Sequence, residues 1–216
     1  PYQGGTFDMG CTSEQRDCEN DETQHSVTVS DFYIGKYEVT QAQWKKIMNS
    51  NPSKYRKGDK YPVENVSWND VQDFIKKLKT KTGKNYRLPT EAEREYAARG
   101  GESYQYAGSN TLDEVAWSYN NSDGKTHEVG GKKQNGYGLY DMSGNVWEWC
   151  QDWYDSNYYK NSQSSNPVNT TESTDRVLRG GGWYDDPLYC RVANRSGGAP
   201  TYSLNGYGFR LVLSSQ

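Results

Sequence analysis

Every recognisable helix start in this chain falls within the first hundred residues, and that asymmetry restricts what it can fold into. Thr40 is followed three residues later by Gln43, Ser67 by Asp70 and Thr90 by Glu93. At that spacing an N-cap hydroxyl and an N3 acceptor satisfy each other's backbone donors. Behind Thr40, Trp44, Ile47 and Met48 share one face, and Asn51-Pro52-Ser53 is expected to end the helix. Behind Ser67, Val71, Phe74, Ile75 and Leu78 form an amphipathic stripe that stops at Gly83. A third short helix follows Pro89. From Gly100 onward no segment reads as helix. Trp, Tyr, Gly and Asn dominate there, with turn signals at Asn135-Gly136 and Asn205-Gly206. Tyr154 to Thr174 reads as a long polar surface loop, and the alternation from His25 to Val39 reads as strand or hairpin. The expectation is one α+β domain over residues 1–216.

Hydrophobic residues make up only 32% of the chain, and the mean hydropathy is -1.11. Nineteen tyrosines and seven tryptophans offset this, because they bury large areas while keeping a polar tip hydrated. Trp44, Trp68, Trp117, Trp147, Trp149 and Trp153 are read as core. The net charge is -3 and no basic stripe is evident, so nucleic acid is not an expected partner. No apolar run is long enough to span a membrane. The chain opens at Pro1-Tyr2-Gln3-Gly4-Gly5 in a strand-like stretch, which is expected for a trimmed N-terminus, with a removed export signal left open.

Four cysteines allow three pairings. Cys11 and Cys18 flank a short polar loop suited to a local bridge, and Cys150 and Cys190 would then pair across the fold. Free buried thiols are the alternative. Two bridges would place the protein outside the cytoplasm.

Two strand-like frames, Arg176 to Trp183 and Tyr207 to Leu213, bracket a segment without periodicity. It holds Tyr184, Asp185, Asp186, Leu188, Tyr189, Ser196, Gly197, Gly198, Ala199, Tyr202, Ser203 and Leu204, and ends on Tyr207. That mixture suits neither a core nor an active site. Tyrosines give rigid amphipathic contact area at low entropic cost, as in paratopes, so the span of about 182–207 is read as a ligand-binding surface. Asp185 and Asp186 would receive a basic or polar group, or be solvated. Arg179, Arg191, Arg195 and Arg210 are expected to be buried and to bond loop carbonyls, since a guanidinium fork can satisfy several at once.

Six ordered motifs carry a resemblance: Gly4 to Gly10, Tyr37-Glu38-Val39-Thr40, Pro62 to Trp68, Tyr86-Arg87-Leu88-Pro89-Thr90-Glu91, Gly138 to Trp149 and Arg179-Gly180-Gly181. The chain resembles the formylglycine-generating-enzyme (sulfatase-modifying factor) family, which implies a C-type-lectin-like fold. Within that family the C-terminal segment is similar to the variable proteins of diversity-generating retroelements. The resemblance implies adenine-directed mutagenesis of Asn codons, from which Tyr, Asp, Ser, Gly, Ala and Leu are all reachable. It further implies an unknown variable ligand, a protein on another cell or host surface, and display outside the cytoplasm through an anchored segment.

The resemblance also implies chemistry. The family's oxidases use two cysteines after the Arg-Gly-Gly motif to hold copper, and Cys190 stands alone there; one thiolate is not what Cu(I) requires. His25 and His127 cannot by themselves make the iron site of other relatives. The motif from Asp141 to Glu148 implies a structural calcium site built from Asp141, Gly144, Val146 and Glu148, oxygen donors that suit a hard cation. The alternative is that Glu148 and Asn145 bond the loop backbone without metal. The resulting expectation is a non-enzymatic binding protein with no required cofactor. An oxygen-dependent oxidase and a carbohydrate-binding lectin stand as alternatives.

Overall fold

The computed structural model describes residues 2–214. Pro1, where the strand-like opening was read to begin, lies outside them. The three helix starts fall where the capping boxes put them. Helix α1 (Gln41–Met48) is capped by Thr40 with Gln43, α2 (Trp68–Thr82) by Ser67 with Asp70, and α3 (Glu91–Arg99) by Thr90 with Glu93. Gly83 and Gly100 close α2 and α3 in the left-handed conformation. α1 stops at Asn49, which takes that role itself, two residues before the expected Asn51-Pro52 break. One short helix, α4 (Leu112–Val115), does occur beyond Gly100; a single turn leaves no readable period.

Strands β1 (Gly5–Met9) and β2 (His25–Val29) form an antiparallel pair. A second sheet orders β3 (Phe32–Ile34), β9 (Val212–Ser214) and β4 (Tyr86–Arg87). A third orders β7 (Arg195–Gly198), β6 (Arg176–Arg179), β5 (Trp147–Trp153) and β8 (Tyr207–Gly208). Both C-terminal frames are shorter than expected. β6 ends at Arg179 because Gly180 and Gly181 adopt positive φ. The expected run from Tyr207 to Leu213 splits, since β8 pairs with β5 while β9 pairs with β3 and β4. The segment between the frames is also not wholly irregular, because β7 lies inside it, antiparallel to β6.

Two apolar clusters make most of the core among the described residues. One gathers Met9, Val27, Phe32, Leu139, Met142 and Val212. The other packs Trp44, Phe74, Leu88, Trp147, Trp149 and Phe209. Trp44, Trp147 and Trp149 are buried as expected, whereas Trp68, Trp117 and Trp153 are half-buried. Trp68 and Trp153 flank the Arg176 guanidinium, with its carbon 3.9 and 3.5 Å from their ring centroids.

Candidate ligand-binding surface

Buried arginines hold the frame of the C-terminal segment. Arg179 donates to the carbonyls of Val192, Ala193 and Asn194 and to Glu95. Arg191 grips Glu22 with two bonds of 2.7 Å and donates to the Leu188 carbonyl. Arg195 pairs with Glu91 and reaches the Asp21 carbonyl, and Arg210 bonds the carbonyls of Gly35 and Tyr140. The carbonyl contacts are those expected. The carboxylate partners on α3 and in the 19–22 loop are not legible in sequence, because they lie as many as 169 residues away.

On this frame Gly180 and Gly181 turn the chain outward from β6. Trp183 then pins the segment. Its N–H donates to the Asn145 carbonyl, its indole to the Asn205 carbonyl, and its own carbonyl accepts the Ser122 hydroxyl. Its ring meets Tyr55 and Tyr184 edge-on, with centroids 5.3 and 5.0 Å away. Asp185 is a staple for this turn, accepting the Trp147 indole at 2.7 Å and the Gly182 N–H at 2.9 Å. Burial, helped by the Asp186 charge, pushes its carboxyl up to about 6 against those two bonds. Further on, the Pro187–Cys190 turn lifts Tyr189 outward. The Pro200 and Leu204 carbonyls accept the N–H groups of Asn69 and Asn65 at the start of α2.

The thirteen expected surface residues therefore fall into three groups. Asp186, Tyr189, Tyr202, Ser203 and Leu204 are exposed, with Tyr202 at 61%, Leu204 at 44% and Tyr189 at 39%. Tyr184, Asp185, Leu188, Ser196, Gly197, Ala199 and Tyr207 are half-buried. Gly198 is buried in β7 and cannot contact a ligand, which corrects its assignment. A Cβ there would lie 3.0 Å from Trp149 and 3.1 Å from Leu178, both fully buried. Gly198→Ala is accordingly expected to cost about 1–2 kcal/mol through overpacking, measured by urea unfolding; an unchanged midpoint would show that the layer can yield. Tyr119 was not foreseen. It is 67% exposed, and its N–H donates to the Asp185 carbonyl, so it extends the surface. No local signal marks it, because a chain reversal far from the segment supplies the contact.

Both side-chain donors of the implied calcium set, Asp141 and Glu148, are buried. Glu148 is fully buried between two guanidiniums, Arg94 at 2.8 Å and Arg210 at 2.7 Å on both oxygens. Burial alone would raise its carboxyl, but Arg210 and Arg94 outweigh that and hold it below the usual carboxylate range. Asp141 gives one oxygen to the Gly130 N–H and keeps the other, Oδ1, buried without a partner. Glu148 is thus charge-neutralised by two arginines, which leaves it a poor donor for a divalent cation, whereas Asp141 keeps one buried oxygen open.

The cysteines divide. Cys11 and Cys18 form a disulfide with Cα atoms 6.0 Å apart. Cys150 and Cys190, expected to pair, are free and buried. They face different surroundings: Cys190 lies with Tyr106, Leu112, Val115 and Ala116, while Cys150 sits in β5 near Glu91 and Asp152. Burial pushes both thiols up, and the reactive thiolate is suppressed. Ellman titration of the native protein should find neither thiol, and titration in denaturant should find both. A fast-reacting native thiol would contradict the packing of both residues.

Several carboxyls are raised. Burial takes Asp152 to about 7, with Glu91 adding to it, and Glu64 likewise to about 7. Together with Asp185, these groups hold a proton more tightly folded than unfolded. Their contribution is complete below the ordinary carboxylate range and is lost as pH rises through about 6 to 7. Glu91 and Glu148 act oppositely; their arginine partners lower them, so their contribution is lost in acid. Thermal stability is expected to peak near pH 5 and fall toward pH 8. A melting temperature that climbed steadily from pH 5 to 8 would contradict this balance.

The fold is C-type-lectin-like, and the chain belongs to the sulfatase-modifying factor enzyme 1-like domain family, whose pattern matches residues 2–215. It is similar in structure to Treponema denticola variable protein 1, with a TM-score of 0.88 at 32% identity over 98% of this chain and 95% of that one. In sequence it is 39% identical to the chaperone protein LppX of Paenibacillus barcinonensis, over 73% of this chain and 71% of the relative. It is 30% identical to the formylglycine-generating enzyme of Mus musculus, over 97% of this chain and 73% of that enzyme.

Proposed function

We propose that this chain is a non-enzymatic ligand-binding protein, displayed outside the cytoplasm, whose segment of about 182–207 is diversified on a fixed scaffold. The observation that carries it is the separation of roles within that segment. Trp183, Arg191 and Arg195 are tied into the frame, while Asp186, Tyr189, Tyr202, Ser203 and Leu204 project outside every strand ladder. Similarity over nearly the whole chain to a protein described as variable supports the reading. The Cys11–Cys18 bridge supports an oxidising compartment, and no helix among the described residues is long and apolar enough to cross a membrane.

An oxygen-dependent oxidase is the second reading, favoured by the family itself and by the mouse relative. Against it stand two thiols that are buried, separate and raised. Stoichiometric Cu(I) binding, lost in Cys190→Ser, would restore it. The diversification reading is tested by sequencing the 3′ end of the gene across many isolates. Changes confined to adenine positions, and concentrated in the codons of the exposed residues, are expected. A uniform segment, or changes spread over all four bases, would overturn it.

A further inference from the structure

The absence of a basic stripe expected from the overall charge does not hold for α2. Residues 74–84 carry five lysines and no acidic residue, in a chain whose acidic residues outnumber its basic ones. Lys76, Lys77, Lys79, Lys81 and Lys84 are all exposed, as is Lys46 on α1. Lys81 donates to the Lys46 carbonyl at 3.4 Å, which joins the last turns of the two helices. Between them runs a groove of about 420 Å³ lined by Ile47, Asp73, Lys76, Lys77, Thr80 and Lys81. Asp73 is its single carboxylate, and no ion pair among the described residues engages these six lysines.

Favourable charge at a helix C-terminus accounts for Lys79 and Lys81. It accounts equally for Lys46 in the last turn of α1, but not for Lys76 and Lys77 in the middle of α2. The start of α2 touches the diversified segment through Asn65 and Asn69. A helix of fifteen residues runs about 22 Å, so Lys79, Lys81 and Lys84 stand at the end remote from Asn69, with Lys76 and Lys77 midway along it.

We infer that the α1–α2 face docks on an anionic phospholipid bilayer, with lysines meeting phosphate headgroups and Ile47 at the apolar floor of the groove. The protein would lie on a membrane by one end and present the diversified surface at the other. Each basic residue close to such a surface strengthens partitioning about fivefold.

The test is cosedimentation of the whole chain with phosphatidylcholine vesicles, with and without phosphatidylglycerol, at about 0.1 M salt, where the Debye length is about 10 Å. Binding is expected only with phosphatidylglycerol and should weaken as salt rises. The combined Lys76→Gln, Lys77→Gln, Lys81→Gln variant should bind about a hundredfold more weakly, while the distant Lys125→Gln, Lys132→Gln, Lys133→Gln variant should match wild type. Circular dichroism melts confirm that both variants fold. No vesicle binding, equal binding to neutral vesicles, or equal loss in both variants would overturn the inference. So would retention of the chain by inorganic polyphosphate or nucleic acid without vesicle binding. Ligand recognition at the far end is read separately, so either result leaves the proposed function intact.

Discussion

Replacing Glu148 by alanine is expected to lower stability by about 3–5 kcal/mol, or to prevent folding, although the residue touches no candidate ligand contact. The change would strand Arg94 and Arg210, both fully buried, without their shared carboxylate. Breaking a buried pair from one side costs that much because an uncompensated charge is left in a medium that solvates it poorly. A domain of ordinary stability has about 5–15 kcal/mol to lose. Arg210 also bonds the carbonyls of Gly35 and Tyr140, so the damage should spread to the β3–β9 sheet. Urea unfolding measures the effect, with Glu148→Gln as a second variant that keeps the shape and removes the charge. The same experiment separates the ionic reading of Glu148 from the calcium reading: wild-type melting should not shift on adding EDTA or calcium. A loss below about 1 kcal/mol would mean that the arginines are not anchored as described.

Local chemistry was readable and distant chemistry was not. The three capping boxes, the α2 stripe and the Gly83 stop depend on residues within one helix of each other, and each falls where the spacing put it. The arginine-to-carbonyl contacts were foreseeable because a fold with few ladders leaves many carbonyls to satisfy. Which acid meets which arginine was not, since Glu22 and Arg191 meet only through the tertiary fold. α3 shows the limit most clearly. Its Glu91, Glu93, Arg94, Glu95 and Arg99 are all buried, and a charged helix read by period alone would be placed at the surface. The Cys150–Cys190 pairing failed for a similar reason, because an even count says nothing about which thiols the sheet brings together. Within the candidate surface, the division into exposed and structural positions was not legible. Gly198 and Asp185 look like their exposed neighbours until β7 and the Trp147 indole are in place.

That division carries the central claim, and it has a large expected effect of its own. Exposed side chains away from packing and caps usually change stability by no more than about 0.5 kcal/mol, whereas aromatic anchors at a binding surface carry about 2 kcal/mol or more each. Simultaneous randomisation of Asp186, Tyr189, Tyr202, Ser203 and Leu204 should therefore alter recognition widely while leaving the fold alone. Randomising Tyr184, Asp185 and Gly198 should instead destabilise the fold itself. Tyr184 fills the space beside Gly206, where a Cβ would lie 2.1 Å from its ring, and Asp185 and Gly198 are held as described.

The most direct measurement is the melting temperature of several dozen members from each of these two displayed libraries. The account predicts that nearly all members of the exposed-position library melt close to wild type and that binders to unrelated targets can be selected from it. Most members of the second library should melt far lower or fail to fold. Comparable losses of stability in both libraries would contradict a diversified surface carried on an independent scaffold.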